Sequence, residues 1–284
     1  MLNTLAASEL VLNDDGSVYH LNLLPEDIAG KIILVGDPDR VPRVSEYFDK
    51  IEIKKNKREF YTHTGILRGE RITVMSSGIG TENIDIVMNE LDALVNIDLK
   101  NKEFKDEHIS LELFRLGTCG SVNPDVEVDQ MLVTRNVVGL DGLLRFYADY
   151  EFENEFSRNF MAGFPYENVK GLLYFSDWTE EISHYYKDAK YHGNTATFPG
   201  FYAPQGRQLR LKALDDRFLE TLNDLGVSNF EMETSAIYGL SKLLGHKALT
   251  VNNVIANRRR GEFAADHHAS EKKMIEWVLE RIIP

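Results

Sequence analysis

The chain has 284 residues, 43% of them hydrophobic and 27% charged, with a formal net charge of −13. That profile belongs to an ordinary globular protein with room for a sizeable core, and it argues against a nucleic-acid binder built on a basic patch. No run of about 18 apolar residues could span a membrane, no basic-then-apolar leader opens the chain, and the single cysteine, Cys119, leaves no intrachain disulfide and points to a reducing, cytoplasmic setting.

In chain order, "KIILVGD" (31–37) is a short apolar run stopped by Gly-Asp-Pro, the pattern of a buried strand. "REFYTHTGILRGERITVMSSGIG" (58–80) reads as two extended runs around the Arg68-Gly69-Glu70 turn, with a glycine-rich exit. Residues 82–99 put Ile84, Val87, Met88, Leu91, Leu94 and Val95 on one helical face. The charged "KNKEFKDEH" (100–108) reads as a solvated surface loop. "LFRLGTCGS" (113–121), "QMLVTRNVVGL" (130–140) and "LLYFS" (172–176) read as strands. Helices are expected near 151–162, 215–225, 234–244 and 267–282, the last with Asp266 as its N-cap. After a helix stop at Gly245, "KALTVNNVIANR" (247–258) is another strand. Strands alternating with helices, with no repeat or linker to divide them, predict a single-domain (1–284) α/β/α sandwich around a mixed central sheet.

Ligands in such folds sit where strands end, and three strand ends here share a composition. "GDPDR" carries Gly36 and Arg40, "RLGTCG" carries Arg115 and Thr118, and "SSGIG" carries Gly78 and Gly80. Guanidinium groups with a hydroxyl and accessible backbone amides suit a phosphate, although each motif alone also describes a turn with a surface arginine. "NTATFPGFYAPQGRQLR" (194–210) sets Phe198, Phe201 and Tyr202 beside Gln205 and Arg207. It is either a loop with an aromatic anchor or a surface that stacks on a planar heterocycle and reads its edge. "FEMETSA" places Glu231 and Glu233 around Met232 at a helix mouth, where acidic residues also simply complement the helix dipole. The histidines follow no metal-ligand spacing, and Cys119 has no histidine patterned with it, so neither a metal site nor a thiol nucleophile is expected.

Together these residues resemble the nucleoside phosphorylase superfamily, and within it the uridine phosphorylases. The likeness runs through "VYHLNL", "LVGDPDRV", "NKREF", "SSGIG", "FRLGTCGSV", "LVTRNVVGLDG", "FYAPQGR", "FEMETSA" and "VIANR", in order and over nearly the whole chain. The resemblance implies one α/β domain with a distorted mixed sheet, assembled as a dimer or a ring of dimers. It implies phosphorolysis of uridine to uracil and ribose 1-phosphate in pyrimidine nucleoside salvage, with phosphate as co-substrate and no cofactor.

Residue by residue, it implies that Gly36, Arg40, Arg115 and Thr118 hold phosphate, with Arg58 reaching the phosphate of a neighbouring subunit. His20 would cross the same interface towards the ribose 5′-hydroxyl. Glu233 would take the ribose diol, with Met232 under the sugar and Glu231 close by. Gln205 and Arg207 would read the uracil edge, with Phe201 against the ring. Hexameric purine-specific relatives carry an aspartate after the last strand where this chain has Asn257, which favours a pyrimidine. In some relatives a serine helps form a monovalent-cation site with positions matching Glu59 and Ile79; Asn83 stands in its place here. The alternatives are phosphorolysis of deoxyuridine, thymidine or a purine nucleoside, or a non-catalytic nucleoside-binding protein, which would not need Arg40, Arg58, Arg115 and Glu233.

Overall fold

The computed structural model describes residues 4–148 and 150–283. Its strands are β1 (Lys31–Val35), β2 (Lys50–Lys57), β3 (Phe60–Leu67), β4 (Glu70–Ser76), β5 (Ile97–Asp98), β6 (Glu103–Phe104), β7 (Glu112–Ser121), β8 (Met131–Gly139), β9 (Tyr174–Asp177), β10 (Tyr191–Thr197), β11 (Asn229–Glu231), β12 (Lys247–Asn257) and β13 (Glu262–Phe263). The α-helices are α1 (Arg40–Ser45), α2 (Thr81–Asn96), α3 (Glu155–Gly163), α4 (Glu167–Lys170), α5 (Phe218–Asp224), α6 (Thr234–Leu244) and α7 (His267–Ile282).

The main sheet runs β13-β12-β8-β10-β11-β7-β1-β4-β3-β2, and an extra β12–β7 pairing closes its first half on itself. β7 makes this possible because its flanks are divided. One side pairs in parallel with β12 along its length; the other pairs with β1 first and then, antiparallel, with β11 at Gly120 and Ser121. The result is the expected mixed, distorted sheet.

β1 shows why a five-residue apolar run becomes a strand here. Alternate side chains point to opposite faces, and both faces are covered. Ile32 and Leu34 pack with α2 and α6, while Ile33 and Val35 pack with Met274, Ile275 and Val278 of α7. A third cluster fills the space between β10, β11, α3 and α5. On α2 the expected face is buried: Ile84, Val87, Met88, Leu91 and Leu94 have no exposed surface, and Val95 packs partly against them. Asp266 caps α7 by accepting from the Ala269 amide at 3.0 Å, and Gly245 ends α6 at φ 72°.

Four segments depart from the sequence reading. β2, "KIEIKKNK", carries lysines along the sheet edge, where charge deters edge-to-edge pairing. Arg58 is not in an extended run but in the β2–β3 turn, at φ 57°. Part of the 194–210 stretch is strand β10, whose Gly, Asn and Thr residues lack an apolar signature yet lie between β8 and β11. Within 100–108, β6 pairs with β5 as a small ladder instead of a free loop.

Candidate active site

β1, β4 and β7 are mutually parallel, so their carboxyl ends open on one side of the sheet. Into that side β1 delivers Gly36 and Arg40, β4 delivers Gly78, and β7 delivers Arg115 and Thr118. β11 adds Glu231, Met232 and Glu233, and the short 3-10 turn Ala203–Gln205 brings Phe201, Gln205 and Arg207. All of these line one cavity of about 720 Å³, a volume in the range of small-molecule sites.

An ion-pair cluster forms part of the cavity wall. Arg115, 4% exposed, is bound through Nη2 to Glu233 Oε2, and its Nε lies 3.5 Å from Glu231 Oε2. Burial opposes the charge on Arg115, but the two carboxylates outweigh it and keep the guanidinium ionised. The two glutamates then divide their tasks. Glu231 accepts from Thr197 Oγ1 at 2.7 Å and from the amides of Glu233 and Thr234, both at 2.9 Å, so it ties down the mouth of α6. Glu233 accepts from the Gly80 amide at 2.8 Å. Burial, the largest influence, pushes its carboxyl above the ordinary value against the pull of Arg115.

Arg40 is buried, held by Glu271 and by the Leu116 carbonyl, and lines the cavity together with Gly36 and Thr118. Arg207 donates to Gln205 Oε1 at 2.6 Å and to the Phe201 carbonyl at 2.7 Å, with its guanidinium carbon 3.8 Å from the Phe201 ring centroid. Because Oε1 of Gln205 is taken, its Nε2 is left to donate. Arg258 braces this turn from below, donating to the Gln205 carbonyl at 3.3 Å. Burial and the nearby Arg258 both lower the Arg207 pKa. Two guanidinium groups and a hydroxyl can hold an oxyanion, a carboxylate can accept from a diol, and an amide with a guanidinium can read a polar heterocycle.

A family model described as the phosphorylase superfamily matches residues 31–283. The chain belongs to the phosphorylase superfamily. It is 28% identical to a Thermococcus kodakarensis uridine phosphorylase, covering 99% of this chain and 95% of that one. It is 27% identical to an Oceanobacillus iheyensis purine nucleoside phosphorylase of the DeoD type, covering 93% of this chain and 98% of that protein. Among solved structures, a Trypanosoma brucei nucleoside phosphorylase described as showing uridine phosphorylase activity aligns with a TM-score of 0.86 and 30% identity, covering 96% of this chain and 99% of that one.

Of the residues singled out from the sequence, the structure gathers Gly36, Arg40, Arg115, Thr118, Phe201, Gln205, Arg207, Glu231, Met232 and Glu233 into one cavity. His20 and Arg58 do not line it. His20 Nδ1 sits 2.6 Å from Glu90 Oε1, and Arg58 is exposed, 5.9 Å from the ring of Tyr19, the neighbour of His20. Glu59, Ile79 and Asn83 border the cavity, and Asn83 Nδ2 donates to the Ile79 carbonyl at 3.4 Å.

Asn257 does not face the cavity as a candidate acid position would. Its Nδ2 donates to the carbonyls of Asn123 and Val126 at 2.9 and 2.7 Å, and its Oδ1 accepts from the Arg259 and Arg260 amides, both at 3.0 Å. Phe230, Ile255, Ala256 and Phe263 add apolar wall that sequence reading missed, since nothing local marks a strand-end side chain as lining. Cys119 also borders the cavity, but burial pushes its thiol far above the ordinary value, so it is no nucleophile.

Sequence spacing also missed that Asp92, His108 and His246 converge within 4.8 Å. His246 Nδ1 accepts from the Leu111 amide at 3.2 Å, which places the ring proton on the Nε2 that faces Asp92. That tautomer offers no lone pair to a metal.

Proposed function

We propose that the protein catalyses phosphorolysis of uridine to uracil and ribose 1-phosphate, serving pyrimidine nucleoside salvage. The observation that carries this reading is the company these groups keep in one cavity. Arg40 and Thr118, the Arg115–Glu233 pair, Met232, and Gln205 with Arg207 and Phe201 all line it. Phosphate on the arginines, ribose over Met232 and uracil against Gln205 and Arg207 would use each of them. The relatives named as uridine phosphorylases support the same reading.

In the reaction the C1′–N1 bond breaks with its electron pair going to uracil, while a phosphate oxygen forms the new bond to C1′. Phosphate held by Arg40 and Arg115 sets an anion beside the positive charge that develops on the sugar. The leaving base gathers negative charge, which Gln205 Nε2 and Arg207 stabilise as it grows. Glu233 accepts from the ribose hydroxyls once phosphate draws Arg115 away from it. No metal or organic cofactor enters these steps.

His20 and Arg58 lie outside their own chain's cavity, and we assign them to the cavity of a neighbouring subunit in a homodimer or a ring of dimers. The buried, unpaired Cys119 fits a cytoplasmic enzyme. The test is ultraviolet absorbance with uridine and with inosine, each with and without phosphate. Phosphate-dependent loss of uridine with little turnover of inosine is expected. Inosine as the better substrate would replace uridine by a purine nucleoside, and no turnover of either would favour a nucleoside-binding protein.

A further inference from the structure

The Arg40 guanidinium enters the cavity with its plane already fixed from behind. Its Nε donates to Glu271 Oε2 at 2.7 Å and its Nη1 to the Leu116 carbonyl at 3.0 Å. The other oxygen of Glu271 accepts from Arg43 Nη1, also at 2.7 Å. Glu271 is 4% exposed and lies on α7, outside the cavity that Arg40 lines. Nη2 of Arg40 makes no hydrogen bond among the described residues.

This geometry has a physical consequence. A flexible arginine loses side-chain entropy when it grips an oxyanion, and prior anchoring at Nε and Nη1 removes most of that cost. Glu271 is kept ionised, because Arg40 and Arg43 outweigh the burial that disfavours its charge. Docking of α7 has its own apolar support in Met274, Ile275, Val278, Leu279 and Ile282, so Glu271 is not what seats the helix.

We propose that Glu271 is a positioning residue for phosphate: it holds the Arg40 guanidinium in the plane that presents Nη2 to the anion, and Arg43 on its other oxygen holds the carboxylate itself in place. The proposal rests on reading this cavity as a phosphate site. A glutamine at 271 accepts from one arginine only and turns its NH₂ group towards the other. An aspartate keeps the charge but draws it back by one methylene.

The experiment is titration calorimetry with inorganic phosphate alone on the wild type, Glu271→Gln and Glu271→Asp, with KM for phosphate and for uridine and the Tm of each. Glu271→Gln should weaken phosphate binding and raise the phosphate KM by about tenfold, with the uridine KM changed by less than about twofold. Glu271→Asp should fall between glutamine and wild type, and it carries the same comparison should the glutamine variant fail to fold. Unchanged phosphate binding in a folded variant, or phosphate and uridine KM rising together, would overturn the proposal alone. A wild type that binds no phosphate would overturn both the proposal and the reading it rests on.

Discussion

At Arg115 two requirements compete. An anion site needs a guanidinium with free donors, yet this one is buried and neutralised by Glu231 and Glu233. Removing it leaves two buried carboxylates with no cation, so Arg115→Ala should lose about 3–5 kcal/mol of stability in addition to phosphorolysis. The pH dependence has a definite sign. Burial already raises the Glu233 carboxyl, and the variant should raise it further. A carboxyl raised in the folded state contributes stability below its unfolded pKa and loses it as pH rises through the folded value. The variant's Tm should therefore fall more steeply than the wild type's as pH rises above the ordinary carboxyl value of 4.5; a parallel profile would show that Glu233 does not depend on Arg115. Asn257 gives a second residue-scale test. An aspartate there would face the Asn123 and Val126 carbonyls that the amide now binds. Asn257→Asp should cost about 1–3 kcal/mol of stability and gain no inosine turnover. A rise in inosine turnover would mean that position 257 reaches the base.

At the scale of elements, what could be read from the chain depended on how local its cause is. The strand at Lys31–Val35 and the helix face through Ile84 and Leu91 follow from periodicity within a few residues, and they were legible. The motif residues converged as expected because parallel strands open on one side. β10 was not legible, since its strand character comes from neighbours that hydrogen-bond it on both sides and not from apolar content. Glu271, Arg258 and Thr197 were missed for a related reason: each acts on a site residue far away in sequence, and a glutamate on a helix face carries no local mark of its arginine partner. His63 belongs here too. It lies on β3, with Nδ1 2.7 Å from Ser45 Oγ of α1, and burial, aided by Lys54, lowers its pKa from 6.5 to about 4. A depressed histidine contributes stability above its unfolded pKa and loses it as pH falls towards the folded one. The Tm should drop between pH 6.5 and about 4 and should drop less in His63→Gln; equal drops would mean that His63 does not dominate acid sensitivity.

At the scale of the whole molecule, the cavity draws its lining from one chain, and His20 and Arg58 lie outside it beside Tyr19. If Arg58 serves a partner's cavity, mixing Arg58→Ala with Glu233→Gln subunits makes heterodimers with one site doubly impaired and one intact. Activity should return to about a quarter of wild type after equal mixing and reassembly, whereas Arg58 acting within its own chain would give no recovery. The central claim is narrower than assembly: ribosyl transfer to phosphate within this cavity. The measurement that tests it most directly is identification of the pentose product by phosphorus NMR when uridine and phosphate are supplied together. The account predicts ribose 1-phosphate formed one for one with uracil. Free ribose with phosphate unconsumed would contradict it and make water the acceptor.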